Sequence, residues 1–341
     1  MKKIDPNIIQ SVKQLLCTDG LKVVIVPHVS PDGDAIGSSL GFATILKNYG
    51  CSVQVVVPNS YPDFYRWMKG SEQVLVYTKE PGRCREVFQE AGLLVCLDFN
   101  QIARTGELQS LIAGFEKPRL LIDHHPFPDS FADYTISHPE CSSTAELLFH
   151  VVKALEFTGA VDQAAAECLF CGIMTDTGSF DYNVSDPQTF QTVSELITWG
   201  VDPVKIHDVV FDNYSVHRMQ LLGHLLCECM TVFPEYHAAV MYLTRETKEK
   251  FHFASGDSEG FVNYPLSIKG IHFSAMFTEK KDYVKASFRS KGSFPVNLFA
   301  SENFNGGGHR NAAGGEINAS LAETLDKFQK LLPVYQKMLN D

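Results

Sequence analysis

Short apolar runs that end in polar residues recur through the first part of the chain. The clearest are LKVVIVP (21–27), CSVQVVV (51–57), GLLVCLD (92–98) and RLLIDHH (119–125). Runs of this length with few polar residues inside them are typical of strands buried on both faces. Residues 35–49 separate the first two runs with apolar side chains at helical spacing, and Gly50 ends that segment. The alternation predicts a βαβ unit in a parallel sheet flanked by helices, with functional loops at the carboxyl ends of its strands.

The second half of the chain has a different pattern. Asp186-Pro187 supplies an N-cap and a first-turn proline for a helix over residues 187–199. Strand-like segments follow at HAAVMYLT, GIHFSAMFTE and DYVKASFRS, and an amphipathic helix begins near residue 320. We therefore expect an α/β fold with a parallel-sheet domain over residues 1–200, a helical connector over 201–229 and a smaller mixed α+β domain over 230–341.

The amino-acid composition limits the partners that the protein is expected to bind and the compartment in which we expect it. A formal net charge of −11 opposes tight binding to long nucleic acid, because such binding needs many Lys and Arg side chains on phosphates. No stretch approaches the ~20 apolar residues of a membrane helix, and the N-terminus has no apolar signal core. Nine cysteines, an odd number, indicate reduced thiols, and Cys168 and Cys171 are interpreted as buried apolar side chains. We expect a cytoplasmic protein that binds a small anionic substrate and no membrane.

Imidazole and carboxylate side chains cluster where the predicted strands and helices end. They are His28, Asp32, Asp34, Asp98, Asp123, His124, His125 and Asp176. Parallel strands present their carboxyl ends at one edge of the sheet, so these residues are expected to converge there. Clustered carboxylates repel one another in a cleft unless cations neutralise them, and two divalent metals would do so. The mixture of imidazole and carboxylate favours Mn²⁺ over Mg²⁺, and the lack of thiolate argues against structural zinc; zinc or iron stays open.

The segments that hold these residues carry a family resemblance. HVSPDGDAIGSS, LDFN, DHHP and TDTGSF resemble, in that order, the four motifs of DHH phosphoesterases. This family includes RecJ-like exonucleases, manganese pyrophosphatases and nanoRNases. NGGGHRNAAGG (305–315) resembles the glycine-rich signature of the DHH-associated C-terminal domain. The resemblance covers nearly the whole chain, and it implies an active site in the cleft between two domains.

The resemblance also implies a role for each clustered side chain. The implied metal ligands are His28 and Asp32 at one site, Asp34, His124 and Asp176 at the other, and Asp98 as the bridge. His125 would face the substrate phosphate. Asp123 would orient the imidazole of a neighbouring histidine, and a loop cap is the alternative for this residue. Such a two-metal centre activates a shared water for in-line attack on phosphorus without a covalent enzyme intermediate.

The second domain is implied to hold the substrate. The residues concerned are Arg289, Gly307, Gly308, His309 and Arg310. The glycines let backbone N–H groups approach an anion closely, and the cationic side chains can donate to phosphate or carboxylate. From residue types alone, a tight turn and a solvated Arg289 would be the better interpretations. In CSSTAE, Ser143 and Glu146 have the spacing of a capping box that opens a helix.

A catalytic domain joined to a glycine-rich domain most resembles the bacterial nanoRNases within the family. These enzymes degrade very short RNA to mononucleotides and convert 3′-phosphoadenosine 5′-phosphate to AMP, and an acidic chain suits a short substrate. A cyclic or linear dinucleotide phosphodiesterase and a RecJ-like single-strand exonuclease are the alternatives. Phe99 and Asn100 stand where many relatives carry a small residue and an acid, which leaves substrate preference open. A homodimer is also left open.

Overall fold

A sheet of six parallel strands organises the first part of the chain. The strands are β1 (Lys22–Val26), β2 (Ser52–Val57), β3 (Leu75–Val76), β4 (Leu93–Leu97), β5 (Arg119–Asp123) and β6 (Tyr134–Ser137). Their order is β3-β2-β1-β4-β5-β6, and all neighbours are parallel, which confirms the predicted sheet. β1 lies between β2 and β4, so the chain reverses its direction across the sheet there. The crevice beyond the carboxyl ends of β1 and β4 is a topological switch point, where such sheets bind ligands.

The structure, a computed structural model, describes residues 4–182, 184, 186–254 and 256–340. The chain divides into two units, Met1–Asn213 and Tyr214–Asp341, and the parallel sheet lies in the first. The segment predicted as a helical connector, residues 201–229, contains two helices, which belong to different units. In the described part of the chain, no helix is both long and apolar enough to cross a membrane.

Helices cover both faces of the parallel sheet. They are α1 (Pro6–Leu16), α2 (Gly33–Tyr49), α3 (Pro81–Glu90), α4 (Gln109–Ala113), α5 (Thr144–Ala154), α6 (Gln163–Asp176), α7 (Pro187–Thr198) and α8 (Pro203–Phe211). Val23 and Val24, adjacent on β1, pack into two different hydrophobic cores, as expected for a strand buried on both faces. The predicted helix ends are confirmed. Asp186 caps α7 by accepting a hydrogen bond from the amide of Gln188, and Gly50 ends α2 at φ +114°.

Glycines bring α2 and α6 into direct backbone contact. A Cβ atom on Gly37 of α2 would lie 2.5 Å from the carbonyl oxygen of Cys168 on α6. From the other side, a Cβ atom on Gly172 would lie 2.8 Å from a carboxylate oxygen of Asp34. No side chain fits into either gap, so the two backbones pack against each other. The acidic first turn of α2 is thereby held beside the end of α6.

The second unit is a mixed sheet backed by helices. Its strands are β7 (Met230–Phe233), β8 (Ala238–Leu243), β9 (Phe273–Glu279), β10 (Val284–Ser290), β11 (Gly307–His309) and β12 (Ala312–Ile317), and its helices are α9 (Val216–Glu228), α10 (Arg245–Lys250), α11 (Val296–Asn303) and α12 (Leu321–Asn340). The strand order is β11-β12-β10-β9-β8-β7, with β8 and β9 parallel and the other neighbours antiparallel. Phe273 and Phe277 pack from one face against Phe299 of α11 and Phe328 of α12. The predicted mixed α+β architecture is confirmed.

Gly37→Ala tests whether direct backbone packing holds α2 against α6. The added methyl group would collide with the Cys168 carbonyl, and overpacking of this kind costs about 1–3 kcal/mol of unfolding free energy. Chemical denaturation followed by circular dichroism should show this loss. Gly82→Ala is the matched control, because a methyl group there meets no atom within 4 Å and α3 should be unchanged or stabilised by up to about 1 kcal/mol. Equal stabilities for the two variants would contradict the packing argument.

Candidate metal centre

Several elements of the first unit end together at the switch point and place their polar residues side by side. β1 is followed by His28, β4 by Asp98 and β5 by His124 and His125, while α6 ends at Asp176. Asp32 caps α2, because its Oδ1 accepts hydrogen bonds from the amides of Asp34 and Ala35, each at 3.1 Å. The cap turns the chain so that Asp34, in the first turn, is almost fully buried. The predicted convergence of ligand-type side chains is therefore what the fold produces.

Asp98 stands between two sets of metal-type ligands. Its Oδ2 lies 3.3 Å from Nε2 of His28, which lies 3.7 Å from Oδ2 of Asp32. Its Oδ1 lies 3.7 Å from Nε2 of His124, which lies 3.4 Å from Oδ2 of Asp176. Within each set, ligand atoms lie within 4.8 Å of one another; the sets are His28, Asp32 and Asp98, and Asp34, His124 and Asp176. One carboxylate thus offers an oxygen to each set, as a bridging ligand must.

Asp123 and His125 form a pair beside these sets. Nδ1 of His125 lies 2.7 Å from Oδ1 of Asp123, and the Asp123 side chain is fully buried. Ligand atoms of both residues also lie within 4.8 Å of Asp98. A buried carboxylate on one ring nitrogen fixes the orientation of an imidazole. The contact agrees with the predicted orienting role of Asp123, and the partner is His125 rather than the ligand-type His124.

Burial and an excess of negative charge together set the pKa values in this cluster. Burial and the carboxylates of Asp98 and Asp176 raise the pKa of Asp34 well above its usual value. Burial and Asp98 likewise raise the pKa of Asp123 to about 7. Burial opposes the charged form of His124, yet Asp176 and Asp98 raise the pKa of this imidazole. The neighbouring carboxylates therefore add to burial in raising the pKa of the acids, and they oppose burial in raising the pKa of the His124 imidazole.

The donor set fits divalent cations. The clustered groups combine carboxylate oxygens with imidazole nitrogens and include no cysteine among the described residues. Burial raises the pKa of the Cys96 and Cys141 thiols, which disfavours the thiolate form that binds metals. Imidazole and carboxylate together suit Mn²⁺, Zn²⁺ or Fe²⁺. Bound cations would also neutralise the negative charge of the clustered carboxylates.

The N-terminus of α5 supports two of the carboxylates. The amide of Thr144 donates to Oδ2 of Asp34 at 2.7 Å, and the amide of Ala145 donates to Oδ1 at 2.9 Å. The Thr144 hydroxyl donates to Oδ1 of Asp98 at 2.9 Å. The sequence pattern at this point predicts only the start of a helix. Thr144 is therefore a site residue that sequence reasoning missed, and the one available signal was a hydroxyl beside a helix cap.

Phe99-Asn100, the departure from the family pattern, secures a loop next to the centre. The Phe99 ring is buried in the core. The side-chain amide of Asn100 donates to the carbonyl of Pro126 at 2.7 Å, and its backbone carbonyl accepts from the amide of Asp129 at 2.8 Å. Asn100 thereby holds both ends of the turn that follows His125.

In the second unit, two predicted substrate-binding residues share one row of the mixed sheet. Arg289 on β10 pairs with Ala312 on β12, and Ala312 pairs with His309 on β11. Paired residues of antiparallel strands project to the same face, so Arg289 and His309 flank the small Ala312 side chain about 10 Å apart. Arg310 is exposed in the turn between β11 and β12 and donates to the carbonyl of Ser293 at 3.0 Å. Two cationic-type side chains thus share one face of this sheet.

The glycines of segment 305–315 lie mainly on strands rather than in the turn. Gly307 and Gly308 begin β11 and are exposed, with φ +138° at Gly308. A Cβ atom on Gly306 would lie 1.9 Å from the carbonyl oxygen of Gly314, and one on Gly308 would lie 2.5 Å from that of Ala312. The glycines let β11 approach β12 closely, and anion binding by their amides stays a prediction.

Family profiles and known proteins match this chain along most of its length. The profile described as "DHH family, N-terminal domain" matches residues 22–173, and the one described as "DHHA1 domain" matches residues 236–338. The chain is 26% identical over 299 residues to a bifunctional oligoribonuclease and PAP phosphatase NrnA from Bacillus subtilis (strain 168), with 86% of this chain and 89% of the relative covered. It is also 26% identical to a cyclic-di-AMP phosphodiesterase PdeA from Listeria monocytogenes (serotype 1/2a, strain 10403S), with 98% of this chain but 51% of that protein covered.

Two solved structures resemble the protein to different degrees. The crystal structure of an exopolyphosphatase-related protein from Bacteroides fragilis is 41% identical in sequence, covers 100% of both chains and has a TM-score of 0.94. RecJ from Thermus thermophilus, solved in complex with Mn²⁺, is 14% identical with a TM-score of 0.55. The match covers 98% of this chain and 54% of the RecJ chain. At that identity, the second likeness concerns the fold alone.

Asp98→Asn tests the bridging role directly. Asp98 has φ +63°, and Asn tolerates the left-handed region as well as Asp does, so the change removes a charge without adding strain. We expect metal-dependent phosphoester hydrolysis to fall by more than about 100-fold, because even residues behind metal ligands contribute about 10- to 100-fold. Without metal the variant should be at least as stable as the native protein, since one repelling charge is gone. Metal content per chain, hydrolysis rate and Tm with and without Mn²⁺ are the measurements.

The control for this variant is Asp63→Asn, which removes an 85% exposed carboxylate from the same unit. It should keep native metal content and native activity. Two bound cations with native turnover in Asp98→Asn would refute the ligand assignment.

Proposed function

The chain belongs to the DHH phosphoesterase family, and on this premise we propose that it hydrolyses very short RNAs to mononucleotides and 3′-phosphoadenosine 5′-phosphate to AMP, using two divalent cations, Mn²⁺ foremost. The observation that carries the proposal is the Asp98 carboxylate, whose two oxygens face two separate sets of imidazole and carboxylate ligands. The NrnA relative, named as an oligoribonuclease and PAP phosphatase, supports the choice of substrate. We place the activity in the cytoplasm, where nine free cysteines stay reduced.

We assign one set of ligands to each cation. The proposed ligands are His28, Asp32 and Asp98 on one side and Asp34, His124, Asp176 and Asp98 on the other. A bound pair of cations supplies a water of lowered pKa and neutralises charge on the phosphoryl oxygens. The protein supplies fixed positions for the ligands, because these lie at strand ends and helix ends rather than within long loops.

His125 is the residue that we assign to the substrate phosphate. Its Nδ1 lies 2.7 Å from the Asp123 carboxylate, so the ring is oriented with Nε2 as the nitrogen for the substrate. An imidazole held in this way can donate a hydrogen bond to a phosphoryl oxygen and assist departure of the leaving oxygen. We therefore assign Asp123 to holding His125 and not to a metal.

We assign binding of the remaining substrate to Arg289, His309 and Arg310, with Gly307 and Gly308. The first two share one row and face of the mixed sheet, and a guanidinium matches phosphate geometry well. The net charge of −11 disfavours affinity that grows with the number of phosphates. A few cationic side chains on an otherwise acidic protein favour binding of a short substrate over binding of a long strand.

Two other activities would use the same centre. The PdeA relative is named as a cyclic-di-AMP phosphodiesterase, although this chain matches about half of its length. The relative from Bacteroides fragilis, at 41% identity, is named as exopolyphosphatase-related. All three substrate classes present a phosphorus centre to water, so the surroundings of the phosphate decide between them.

A substrate panel with Mn²⁺ tests the proposal. We expect kcat/KM to be highest for RNAs of two to about five nucleotides and to fall or level off toward twenty, because added phosphates gain little on an acidic protein. Phosphoadenosine phosphate should be hydrolysed and should inhibit RNA dimer cleavage competitively, since both use one centre. Rates are measured by product chromatography beside cyclic-di-AMP, pyrophosphate and polyphosphate.

The panel also has outcomes that contradict the proposal. Efficiency that rises steadily with RNA length would favour a RecJ-like exonuclease. A preference for cyclic-di-AMP or polyphosphate by an order of magnitude or more would assign the centre to that substrate. Non-competitive inhibition by phosphoadenosine phosphate would refute the shared site.

A further inference from the structure

We propose that Thr144 is a positioning residue that aligns two metal-binding carboxylates with each other. The inference rests on the proposed role of Asp34 and Asp98 as ligands, but not on the identity of the substrate. Thr144 is fully buried; its amide contacts Asp34 from α2, and its hydroxyl contacts Asp98 from the end of β4. One residue therefore couples ligands that come from two different elements of the fold.

Asp34 binds the start of α5 in the way that an external anion would. Its two oxygens accept from the first two amides of the helix, those of Thr144 at 2.7 Å and Ala145 at 2.9 Å. These amides have no acceptor within the helix, and the helix dipole favours negative charge at this end. The contact satisfies the amides, partly offsets the charge of a buried acid and fixes the plane of the carboxylate.

The segment that carries Thr144 is itself held in place. The Glu146 carboxylate accepts from the amide of Ser142 at 2.8 Å, from its hydroxyl at 2.6 Å and from the hydroxyl of Thr189 at 3.1 Å. Half of the predicted capping box is present, because the Ser143 hydroxyl accepts from the Glu146 amide at 3.0 Å. The Glu146 carboxylate, which in a full capping box would accept from the Ser143 amide, accepts from Ser142 instead. This shift clamps the chain on both sides of Ser143 and leaves Thr144 directed at the acids.

The Thr144 hydroxyl acts on metal binding through the geometry of Asp98. It donates to Oδ1, the oxygen that faces His124 and the second set of ligands. Without this donor the Asp98 carboxylate can rotate, and its two oxygens then no longer point toward the two sets of ligands. Loss of a hydrogen bond behind a metal ligand lowers metal affinity by about 10- to 100-fold.

Three substitutions separate this role from a general structural one. Thr144→Val keeps the shape and the amide but removes the hydroxyl, and Thr144→Ser keeps both donors. In calorimetric titrations with Mn²⁺ alone, we expect the affinity of Thr144→Val to fall about 10- to 100-fold and that of Thr144→Ser to stay within a few-fold of native. Thr144→Ala serves as a second variant without the hydroxyl if the valine variant does not fold.

Thr44→Val is the matched control. Thr44 is buried in α2, and its hydroxyl donates to the carbonyl of Leu40 at 2.8 Å, so the change removes a buried hydrogen bond without touching a ligand. Its Tm should fall as in Thr144→Val, while its Mn²⁺ affinity stays native. Native Mn²⁺ affinity in folded Thr144→Val, or equal losses in Thr44→Val, would overturn the inference. A native protein that binds Mn²⁺ tightly but cleaves no RNA would refute the proposed function and leave this test of Thr144 intact.

A separate observation points to a nucleobase site at Phe127, in the loop that follows His125. The Phe127 ring is 84% exposed, yet its backbone has φ +59°, which is rare for an aromatic residue and strained. Asn100 holds this loop at the carbonyl of Pro126 and at the amide of Asp129. The backbone bonds therefore fix the part of the loop that carries Phe127, and its exposed ring is open to a ligand close to His125 in the chain.

We infer that Phe127 stacks on the base next to the phosphate that is cleaved, an inference that rests on the proposed function. Two Cα steps limit the separation of the Phe127 and His125 Cα atoms to about 7.6 Å, which is within the span of one nucleotide. Every base has an aromatic face, so stacking tolerates all sequences and suits both mixed short RNA and an adenine nucleotide. Polyphosphate would gain nothing from this ring.

Variants of the same position test the stacking contact. With an RNA dinucleotide, Phe127→Leu should raise KM about tenfold or more, while Phe127→Tyr stays near native because its ring still stacks. With the same dinucleotide lacking the base next to the cleaved bond, native and Phe127→Leu proteins should have equal KM. Equal KM on the intact dinucleotide, or equal losses on both substrates, would overturn the assignment. A native protein that cleaves neither dinucleotide would refute the proposed function instead.

Discussion

Repulsion among buried carboxylates is the constraint around which the first unit is built. Asp34, Asp98 and Asp123 are almost or wholly inaccessible, and such groups strongly disfavour sharing a site when ionised. The fold meets part of this cost with the amides at the start of α5 and with the imidazoles of His28 and His124. The remaining excess of negative charge is what bound cations would neutralise at this candidate centre.

The position of each acid is set by packing of regular elements. Asp34 lies in the first turn of α2 and Asp176 at the end of α6, and Gly37 and Gly172 let these helices touch through their backbones. A distance set by backbone contact varies little, because no side-chain rotamer can change it. The site is thus preorganised by the same contacts that stabilise the core around it.

Local chemistry explains which features could be predicted from sequence. Strands buried on both faces leave continuous apolar runs, and parallel strands end at one edge, so the convergence of His28, Asp98 and His124 followed from the pattern. Thr144 could not be found in this way, because its contacts join a helix start to acids from distant segments. The strands of the glycine-rich segment could not be predicted either, since glycine has a low strand propensity and this hairpin pairs with β10, which lies earlier in the chain. The substrate-binding roles depend on a ligand that no periodicity encodes.

The distribution of thiols across the two units has a practical consequence. Seven of the nine cysteines are buried, and the exposed ones are Cys17 in the first unit and Cys227 in the second. Burial raises the pKa of thiols such as Cys96 and Cys168, which makes them poor nucleophiles. A maleimide dye therefore attaches once to each unit of the unmodified protein. Energy transfer between a donor and an acceptor at these two natural sites would measure the distance between the units in solution.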